Sequence, residues 1–388
     1  MKNKAWGVLL GIVLLHVAGL AAAPSTVVQS WSLPVETNRV YTVQVESAAP
    51  VTASDYAAVL EWCEKDTARG FRRTFLSPTP HGWQGSELTP TNAALLKVLI
   101  FAFGEHVQTN TFTMTHTIAT PQPPKKVRMA VALQQTPAHA TLEANRQIMI
   151  EAIAAAGKEQ VELLCLSENF IDRNVARPLD ERAFTLDAAF LKPLWEAIRE
   201  AKLYCVFALH ERAGKKIYTT AFLVGPDGAL IGRYRKRHLT LSELEAGVTR
   251  GTESPVFQTP LGKIGLAICW DVWFPDTIPD LAAQGAEIVC FPLAGDPDQP
   301  HFEHVWRTRA MDSGIVLLAS VTKNCAPKTP SRIVTPDGEV RAETLEPNGL
   351  AWADITMPQH FDIYWLSVGP YWSDRINVFR YSPAFRGR

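Results

Sequence analysis

The sequence predicts an α/β protein preceded by an all-β antiparallel sandwich domain. Beyond residue 127, apolar strand-like runs alternate with helical patterns, which is typical of a sheet covered by helices. Between about residues 31 and 118, apolar and polar residues instead alternate with the period of half-buried strands. A proline-rich segment at residues 120–126 separates the two patterns and predicts a semi-rigid linker.

The first 23 residues have the layout of a secretory signal peptide. Lys2 and Lys4 precede an apolar stretch over residues 6–17, and small residues follow it up to residue 23. The apolar stretch is short for a membrane span of about 20 residues, which makes a membrane anchor the weaker interpretation. The sequence therefore predicts an exported protein, located in the periplasm or outside the cell.

Residues 24–119 predict the antiparallel β-sandwich. Segments 40–46 and 111–118 alternate apolar and polar residues, and residues 98–103 form a buried strand pattern. Prolines and glycines between them predict a loop, at Pro78, Pro80, Gly82 and Gly85. These patterns are typical of two packed antiparallel sheets.

This strand order, with its interspersed tryptophans, resembles the jelly-roll, carbohydrate-binding-like modules found in secreted enzymes. The resemblance implies glycan contact as one function of the domain. Trp31, Trp62 and Trp83 are the aromatic residues that could stack on sugar rings. Core packing is the commoner role of tryptophan in a small sandwich, and it is the favoured interpretation here.

Residues 127–388 predict the α/β domain. Strands are predicted at residues 127–133, 161–166 and 203–209, and helices at 142–156 and 187–201. Residues 221–239 then predict a hairpin whose turn is Pro226-Asp227-Gly228. A helical pattern resumes at about Pro275, after a short apolar run that ends in a cysteine.

Composition limits the classes of function. With 388 residues, of which 47% are hydrophobic, the chain can bury a sizeable core in each of two domains. The formal net charge of -1 argues against nucleic acid as a partner. The chain has one dense run of basic residues, at positions 233–238.

Three predicted strands end in side chains that together suit acyl transfer. Glu168 follows the strand over 161–166, Lys236 follows the second strand of the hairpin, and Cys269 follows the apolar run 265–268. A thiol at a strand-to-turn junction is held rigidly where backbone amides can face a developing oxyanion. The three groups would serve as base, oxyanion partner and nucleophile.

At these residues the chain resembles the nitrilase superfamily of carbon–nitrogen hydrolases. The family pattern is a Glu after an apolar strand, then Tyr-Arg-Lys-x-His-Leu, then Ile-Cys-Tyr/Trp-Asp-x-x-Phe-Pro-Glu. Here Glu168 is followed by Tyr-Arg-Lys-Arg-His-Leu at 234–239 and by Ile-Cys-Trp-Asp-Val-Trp-Phe-Pro-Asp at 268–276. Three motifs in the family's order make a specific signal.

The resemblance implies a four-layer α-β-β-α sandwich and a homodimer or higher homo-oligomer. It implies that Cys269 is the nucleophile, Glu168 the general base, and Lys236 an oxyanion donor together with the backbone amide of Trp270. It implies a further glutamate after the lysine motif, for which Glu245 is the first candidate and Glu243 the second. No cofactor and no metal are expected.

The chain departs from the family pattern at three places. Ser167 replaces the usual proline before the catalytic glutamate, Asp276 replaces a glutamate, and Asp312-Ser313 replaces Glu-Asn. None of these changes removes a group needed for the chemistry. They bear on the wall of the pocket, and therefore on the substrate.

The expected substrate is a small amide or an N-carbamoyl amine. The segment from Cys269 to Pro275 looks most like family members that act on N-carbamoyl amines. Two alternatives remain: a true nitrilase, and a non-catalytic secreted binding protein that uses a hydrolase-like scaffold. A metal site at His301 and His304 is disfavoured because no third ligand motif accompanies the pair.

The other five cysteines have no predicted role in catalysis. Cys165, Cys205 and Cys290 lie in apolar strand-like runs, where they are expected to be buried and inert. Cys63 and Cys325 are left open as disulfide candidates, since an exported protein meets an oxidising compartment.

Overall fold

The structure is a computed structural model of the whole chain. It describes residues 26–51, 55–64, 70–79, 81–102, 110–121, 123–295 and 302–357. The predicted signal peptide, residues 1–23, lies outside the described residues. The described chain forms two compact units: the first spans residues 26–119 apart from 72–74, and the second begins at Thr120.

The described elements of the first unit are strands. They are β1 (Thr26–Pro34), β2 (Val40–Ser47), β3 (Tyr56–Glu64), β4 (Gly70–Phe75), β5 (Ser77–Thr79), β6 (Gly82–Leu88), β7 (Ala93–Ala102) and β8 (Phe112–Ala119). They form two four-stranded sheets, with orders β1-β7-β3-β4 and β5-β6-β2-β8. Alternate side chains of β2 are buried with residues of β3 and β7 in one hydrophobic cluster.

In this unit, two glycines lie in a strand where a loop was predicted, and two tryptophans lie in the core. Gly82 and Gly85 lie in β6 rather than in a loop, and a Cβ on Gly85 would come within 2.6 Å of Leu76. That glycine therefore allows close packing and does not mark a turn. Trp62 and Trp83 are buried in the core, so neither is available to stack on a glycan.

The second unit contains six helices and twelve strands among its described residues. Its helices are α1 (Leu142–Lys158), α2 (Leu179–Arg182), α3 (Lys192–Ala201), α4 (Leu241–Glu245), α5 (Thr277–Ala283) and α6 (Phe302–Ser313). Three short 3-10 helices accompany them, at Phe170–Asp172, Ala189–Leu191 and Cys269–Trp273.

The twelve strands form two six-stranded sheets. The first sheet has the order β13-β12-β11-β10-β9-β20, with β9 (Lys125–Leu133), β10 (Leu163–Cys165), β11 (Tyr204–Ala213), β12 (Lys216–Val224), β13 (Leu230–Arg235) and β20 (Gly349–Met357). The second has the order β14-β15-β16-β17-β18-β19, with β14 (Val256–Thr259), β15 (Gly262–Leu266), β16 (Ile288–Pro292), β17 (Val316–Ser320), β18 (Ser331–Val334) and β19 (Val340–Thr344). Three central strands are parallel in each sheet, namely β9, β10 and β11 in the first and β15, β16 and β17 in the second.

Side-chain alternation along these strands divides the hydrophobic residues into separate clusters. Leu163 and Cys165 of β10 pack with residues of the second sheet, whereas Leu164 packs with residues of α1 and α3. A third cluster joins the second sheet to α5 and α6 through residues such as Leu281 and Trp306. The second unit is therefore a mixed α/β structure, as the sequence predicts.

The predicted linker is shorter than expected. Lys125 and Lys126 already belong to β9, where they pair with Met357 and Thr356 of β20. Strand pairing extends to these residues because β20 runs antiparallel along the whole of β9. None of the helices in the described part of the chain is long and apolar enough to cross a membrane.

Candidate active site

The three predicted catalytic side chains come from the ends of three strands. Glu168 follows β10, Lys236 directly follows β13, and Cys269 follows β15 by three residues. Residues that follow the last paired residue of a strand lie at the edge of the sheet. The loops of several strands meet there. The fold therefore brings together groups that are up to 101 positions apart in the chain, from 168 to 269.

Lys236 lies at the centre of this cluster. Its Nζ atom donates to Oε1 of Glu168 at 2.9 Å and to both carboxylate oxygens of Glu243 at 3.0 Å. The lysine is 1% exposed. Burial by itself lowers the pKa of Lys236, but Glu168, Cys269 and Glu243 together raise this pKa well above its ordinary value. Lys236 is therefore a fixed cation.

Glu243, the second of the two sequence candidates, is the glutamate that contacts Lys236. It occupies the third position of α4, where it forms a reciprocal capping box with Thr240. This cap turns the carboxylate back toward the start of the helix, which is where Lys236 lies. Glu245, the first candidate, is exposed at the other end of α4, so the geometry favours Glu243 over Glu245.

The pKa of Glu243 is also displaced. Burial raises the pKa of this carboxyl group, but Lys236, the backbone amide of Thr240 and the hydroxyl of Thr219 outweigh burial and lower it below the ordinary value. The carboxylate therefore stays ionised beside the lysine.

The two carboxylate oxygens of Glu168 have different partners. One accepts from Lys236, and the other accepts a hydrogen bond from the backbone amide of Ala294 at 2.9 Å.

Cys269 is held in an unusual backbone conformation. Its φ angle is 43°, in the left-handed region that residues other than glycine rarely adopt, and it begins the 3-10 helix Cys269–Trp273. Such strain is characteristic of nucleophiles presented on sharp strand-to-helix turns. Trp270 follows within this turn, and its side chain is 39% exposed.

The Cys269 thiol is neutral in the resting site. Burial, together with the nearby Glu168 carboxylate, raises the pKa of this thiol to about 12, although Lys236 and the backbone amide of Ala294 act in the opposite direction. A thiolate is the reactive form of cysteine, so attack requires that the proton leave Sγ. The carboxylate that raises the pKa is also the group placed to accept that proton.

Asp271 organises the turn that carries Cys269. Its fully buried carboxylate accepts hydrogen bonds from the backbone amide of Ile268 at 2.9 Å, from the Tyr234 hydroxyl at 2.7 Å and from the backbone amide of His238 at 3.1 Å. Nδ1 of His238 lies 2.9 Å from the same carboxylate. Asp271 therefore connects the Cys269 turn to the segment that carries Lys236.

No role was predicted for Asp271, Tyr234 or His238 from the sequence. All three occupy fixed positions in the two motifs quoted above, and that was the available signal. His238 stacks on Phe274, with 3.9 Å between ring centroids. Its Nδ1 atom faces the Asp271 carboxylate.

Ser167 shows what a departure from the family pattern does here. Its backbone amide and its hydroxyl both donate to Oε1 of Gln134, at 2.9 and 2.8 Å. A proline at this position would supply neither donor. Ser167 therefore joins the loop that bears Glu168 to the end of β9.

The other two departures also find partners. The Asp276 carboxylate lies 3.6 Å from Arg237. Asp312 pairs with Arg309 at 3.1 Å. Arg309 in turn donates to the backbone carbonyl of Val272, in the turn that begins at Cys269. Both substitutions thus keep an acidic group beside the site.

The six cysteines are unpaired, including Cys63 and Cys325. Cys165, Cys205 and Cys290 are buried, as expected. Among the described residues, no group of three or more His, Cys, Asp or Glu side chains could hold a metal ion. His301 lies outside these residues.

Comparison with known proteins identifies the family of this chain. Residues 130–359 match the family described as carbon-nitrogen hydrolase, which is more than half of the chain. The chain belongs to the carbon–nitrogen hydrolase family. It is an enzyme of the nitrilase superfamily, as the motifs of the sequence predict.

Similar proteins include amidases. The chain is 31% identical over 264 residues to deaminated glutathione amidase of Mus musculus, covering 60% of this chain and 81% of the relative. It is 26% identical over 227 residues to omega-amidase NIT2 of Homo sapiens, covering 54% and 82%. A crystal structure of an amidase from Nesterenkonia sp. matches with a TM-score of 0.53 and 25% identity, covering 59% of this chain and 90% of that one.

Proposed function

We propose that this protein is a thiol amidase that hydrolyses a non-peptide C–N bond through Cys269, Lys236 and Glu168. One observation carries the proposal: a buried, permanently charged lysine lies between two carboxylates beside a cysteine in a strained turn. Burying charged side chains costs free energy of folding, and a stable fold does not require such a cluster. Clusters of this kind are characteristic of sites where a reaction uses the charged groups.

The first step would combine proton transfer with attack. Sγ of Cys269 bonds to the amide carbon while its proton passes to the Glu168 carboxylate, because the neutral thiol with a pKa of about 12 is a poor nucleophile. The carbonyl π electrons move to oxygen, which becomes an oxyanion. Lys236 and the backbone amide of Trp270 would stabilise that charge.

The second and third steps would release the two products. Glu168 returns its proton to the nitrogen as the C–N bond breaks, and ammonia or an amine leaves. The acyl group remains on Cys269 as a thioester. Glu168 then takes a proton from water as the water oxygen attacks the thioester carbon. The C–S bond of this second tetrahedral intermediate breaks, Glu168 gives its proton to Sγ of Cys269, and the acid leaves. Glu243 acts on Lys236 rather than on the substrate, so it is a positioning residue.

The proposed substrate is a small amide or an N-carbamoyl amine. The relatives named above are amidases, which supports an amide. The nitrilase alternative would use the same thiol on a C≡N carbon. A non-catalytic binding protein would not need the buried Glu168–Lys236 ion pair close to the Cys269 thiol, which argues against a scaffold role.

We also propose the finer architecture and setting. Three hydrophobic clusters, one joining the two sheets and one between each sheet and its helices, support a four-layer α-β-β-α arrangement. The two sheets of residues 26–119 support an appended all-β sandwich. The signal-peptide pattern at residues 1–23 supports export, and the family resemblance supports homo-oligomerisation. With Trp62 and Trp83 in the core, any glycan contact would involve half-buried Trp31.

Measurement of ammonia release would test the proposed reaction. The full-length protein should act on a panel of primary amides or N-carbamoyl amines, and Cys269→Ala should lose at least ~1,000-fold in kcat/KM while retaining its melting temperature. Cys290→Ala, which removes a thiol buried in the hydrophobic cluster between the two sheets, is the control and should remain active. Activity on nitriles alone, or an equally inactive but folded Cys290→Ala, would contradict the proposal.

A further inference from the structure

A cavity of about 400 Å³ lies against β12, β13 and the loop over residues 249–255. This volume falls in the range that small organic ligands fill, about 300–1,000 Å³. Four cationic side chains and one carboxylate line the cavity: Lys216, Arg233, Arg235, Arg250 and Glu253. Glu168, Lys236 and Cys269, which the structure also describes, are not among the lining residues. The cavity is therefore distinct from the candidate active site.

The two arginines of β13 lie on the face of the first sheet that points away from the second sheet. Arg233 pairs with Phe222 of β12, and directly paired residues of antiparallel strands point to the same face. Phe222 belongs to the hydrophobic cluster that packs with α1 and α3, whereas Tyr234 belongs to the cluster between the two sheets. Side chains alternate along a strand, so Arg233 and Arg235 share the outer face. Cys269 packs instead against the cluster between the sheets.

A buried carboxylate holds both of these arginines in fixed orientations. Glu211 of β11 accepts from Nη1 of Arg233 at 2.7 Å and from Nε and Nη2 of Arg235 at 2.9 Å. The Thr220 hydroxyl donates to the same carboxylate at 2.8 Å, and the Arg235 guanidinium lies 3.9 Å from the centroid of the Tyr218 ring. Burial raises the pKa of Glu211, but Arg235, Thr220 and Arg233 outweigh burial and lower this pKa below its ordinary value. The carboxylate therefore stays ionised, and the two guanidinium groups are ordered before any ligand binds.

Both guanidinium groups keep N–H donors for a ligand. Nε and Nη2 of Arg233 and Nη1 of Arg235 have no hydrogen-bond partner among the residues that the structure describes. The two side chains are 41% and 27% exposed, so solvent reaches them. Lys216 and Arg250 are exposed, and neither forms an ion pair with another described residue. The four cations of the cavity thus face only the two carboxylates named above, which leaves an excess of two positive charges.

We propose that this cavity binds the phosphate group of a small phosphorylated molecule. A phosphate monoester carries close to two negative charges near neutral pH, which matches the excess of positive charge. Planar guanidinium groups donate in pairs to phosphate oxygens. Because Glu211 already orders Arg233 and Arg235, these side chains lose little freedom on binding. The volume beyond the phosphate accommodates the organic group of the ligand.

Two aryl anions of the same shape test this match in charge. Phenyl phosphate is a dianion at pH 8, whereas phenyl sulfate is a monoanion. In isothermal titration calorimetry at constant ionic strength, the full-length protein should bind phenyl phosphate at least ~5-fold more tightly than phenyl sulfate. The double variant Lys216→Gln, Arg250→Gln should bind phenyl phosphate at least ~5-fold more weakly, because two charge contacts are lost. Both side chains are exposed, so the melting temperature of this variant should be unchanged.

Lys215→Gln is the matched control, because Lys215 is exposed beside Lys216 but does not line the cavity. Its Kd for phenyl phosphate should stay within about twofold of the wild-type value. A loss in this control equal to that in the double variant would overturn the proposal and indicate general attraction to surface charge. Equal affinity of the wild-type protein for the two anions, or no binding of phenyl phosphate up to about 10 mM, would overturn it whatever the variants do. These outcomes do not depend on amide hydrolysis, so they leave the proposed function to its own test.

Discussion

At the scale of single residues, the carboxylate of Asp271 holds in place the turn that begins at Cys269. It accepts hydrogen bonds from Ile268 immediately before Cys269 and from Tyr234 and His238 on either side of Lys236. Because the carboxylate is fully buried, each of these donors offsets part of the cost of removing its charge from water. The same interactions set the position of the thiol relative to the lysine.

Removing one donor tests this arrangement. Tyr234→Phe keeps the aromatic packing but deletes the hydroxyl that lies 2.7 Å from Asp271. We expect a loss of about 1–3 kcal/mol in the free energy of unfolding and a lower kcat, since the carboxylate loses a buried partner. Urea denaturation and amide hydrolysis would measure the two effects. Unchanged stability would show that Tyr234 does not contribute to this network.

In the proposed mechanism, Glu168 controls the protonation of Cys269. Its charge contributes to the thiol's pKa of about 12, whereas Lys236 lowers that pKa. In Glu168→Gln the lowering effect remains and the raising effect is lost, so the thiol pKa should fall. Alkylation by a small neutral electrophile such as iodoacetamide should then be faster at pH 8 than in the wild-type protein, while amide hydrolysis is abolished.

The pH dependence provides the internal control for this experiment. Below its pKa, a thiol ionises about tenfold more for each unit of pH, so direct alkylation of wild-type Cys269 should rise with pH throughout the range from 7 to 10. The Glu168→Gln profile should level off at a lower pH. A slower alkylation at pH 8 in this variant would contradict the assigned role of the carboxylate.

At the scale of elements, Lys236 depends on a loop that packs against the end of β13. The backbone amide of Gly251 donates to the Lys236 carbonyl at 2.9 Å, and a Cβ at Gly251 would lie 2.1 Å from the Arg235 carbonyl oxygen. Only a glycine permits this approach of two backbones. The position of the lysine is therefore determined by the loop after α4 as well as by its own strand.

Gly251→Ala should displace the end of β13. We expect a kcat/KM at least ~10-fold lower, because a small displacement of an oxyanion donor weakens its interaction with the transition state. Gly214→Ala is the control: a Cβ there meets nothing within 4 Å, although φ is 61°. It should cost about 1–2 kcal/mol of stability and leave kcat/KM unchanged. Equal kinetic losses in the two variants would exclude the steric explanation.

At the scale of the whole molecule, the chain divides at residues 119 and 120 into two compact units. Glu168, Lys236, Glu243 and Cys269 all belong to the second unit. Each unit has its own hydrophobic clusters, which is the usual sign that it can fold alone. The chemistry should therefore not require the first unit.

A protein truncated to residues 124–388 tests this independence. It should be soluble and should hydrolyse small soluble amides with a kcat/KM within about threefold of the full-length value. The full-length protein, assayed in parallel, is the reference. A soluble but inactive truncated protein would mean that the first unit completes the substrate site.

The local patterns of the sequence predicted the α/β class and the strand ends, and they placed three candidate site residues after those strands. Alternation between β9, α1 and β10 is a local property, because it reflects which side chains each strand or helix buries. Glu168, Lys236 and Cys269 were predicted as site residues from their places after strand-like runs together with the ordered motifs. Ordered motifs then identified the family.

Only the tertiary structure decided how these residues are partnered. Glu243 and Glu245 are two positions apart, and no local pattern separates them; the cap of α4 turns only Glu243 toward Lys236. Asp271 gained its role through Tyr234, 37 positions away. Hydrogen bonds and burial depend on distance in space, which a single sequence does not record, and this is why strand ends were predictable and their contacts were not.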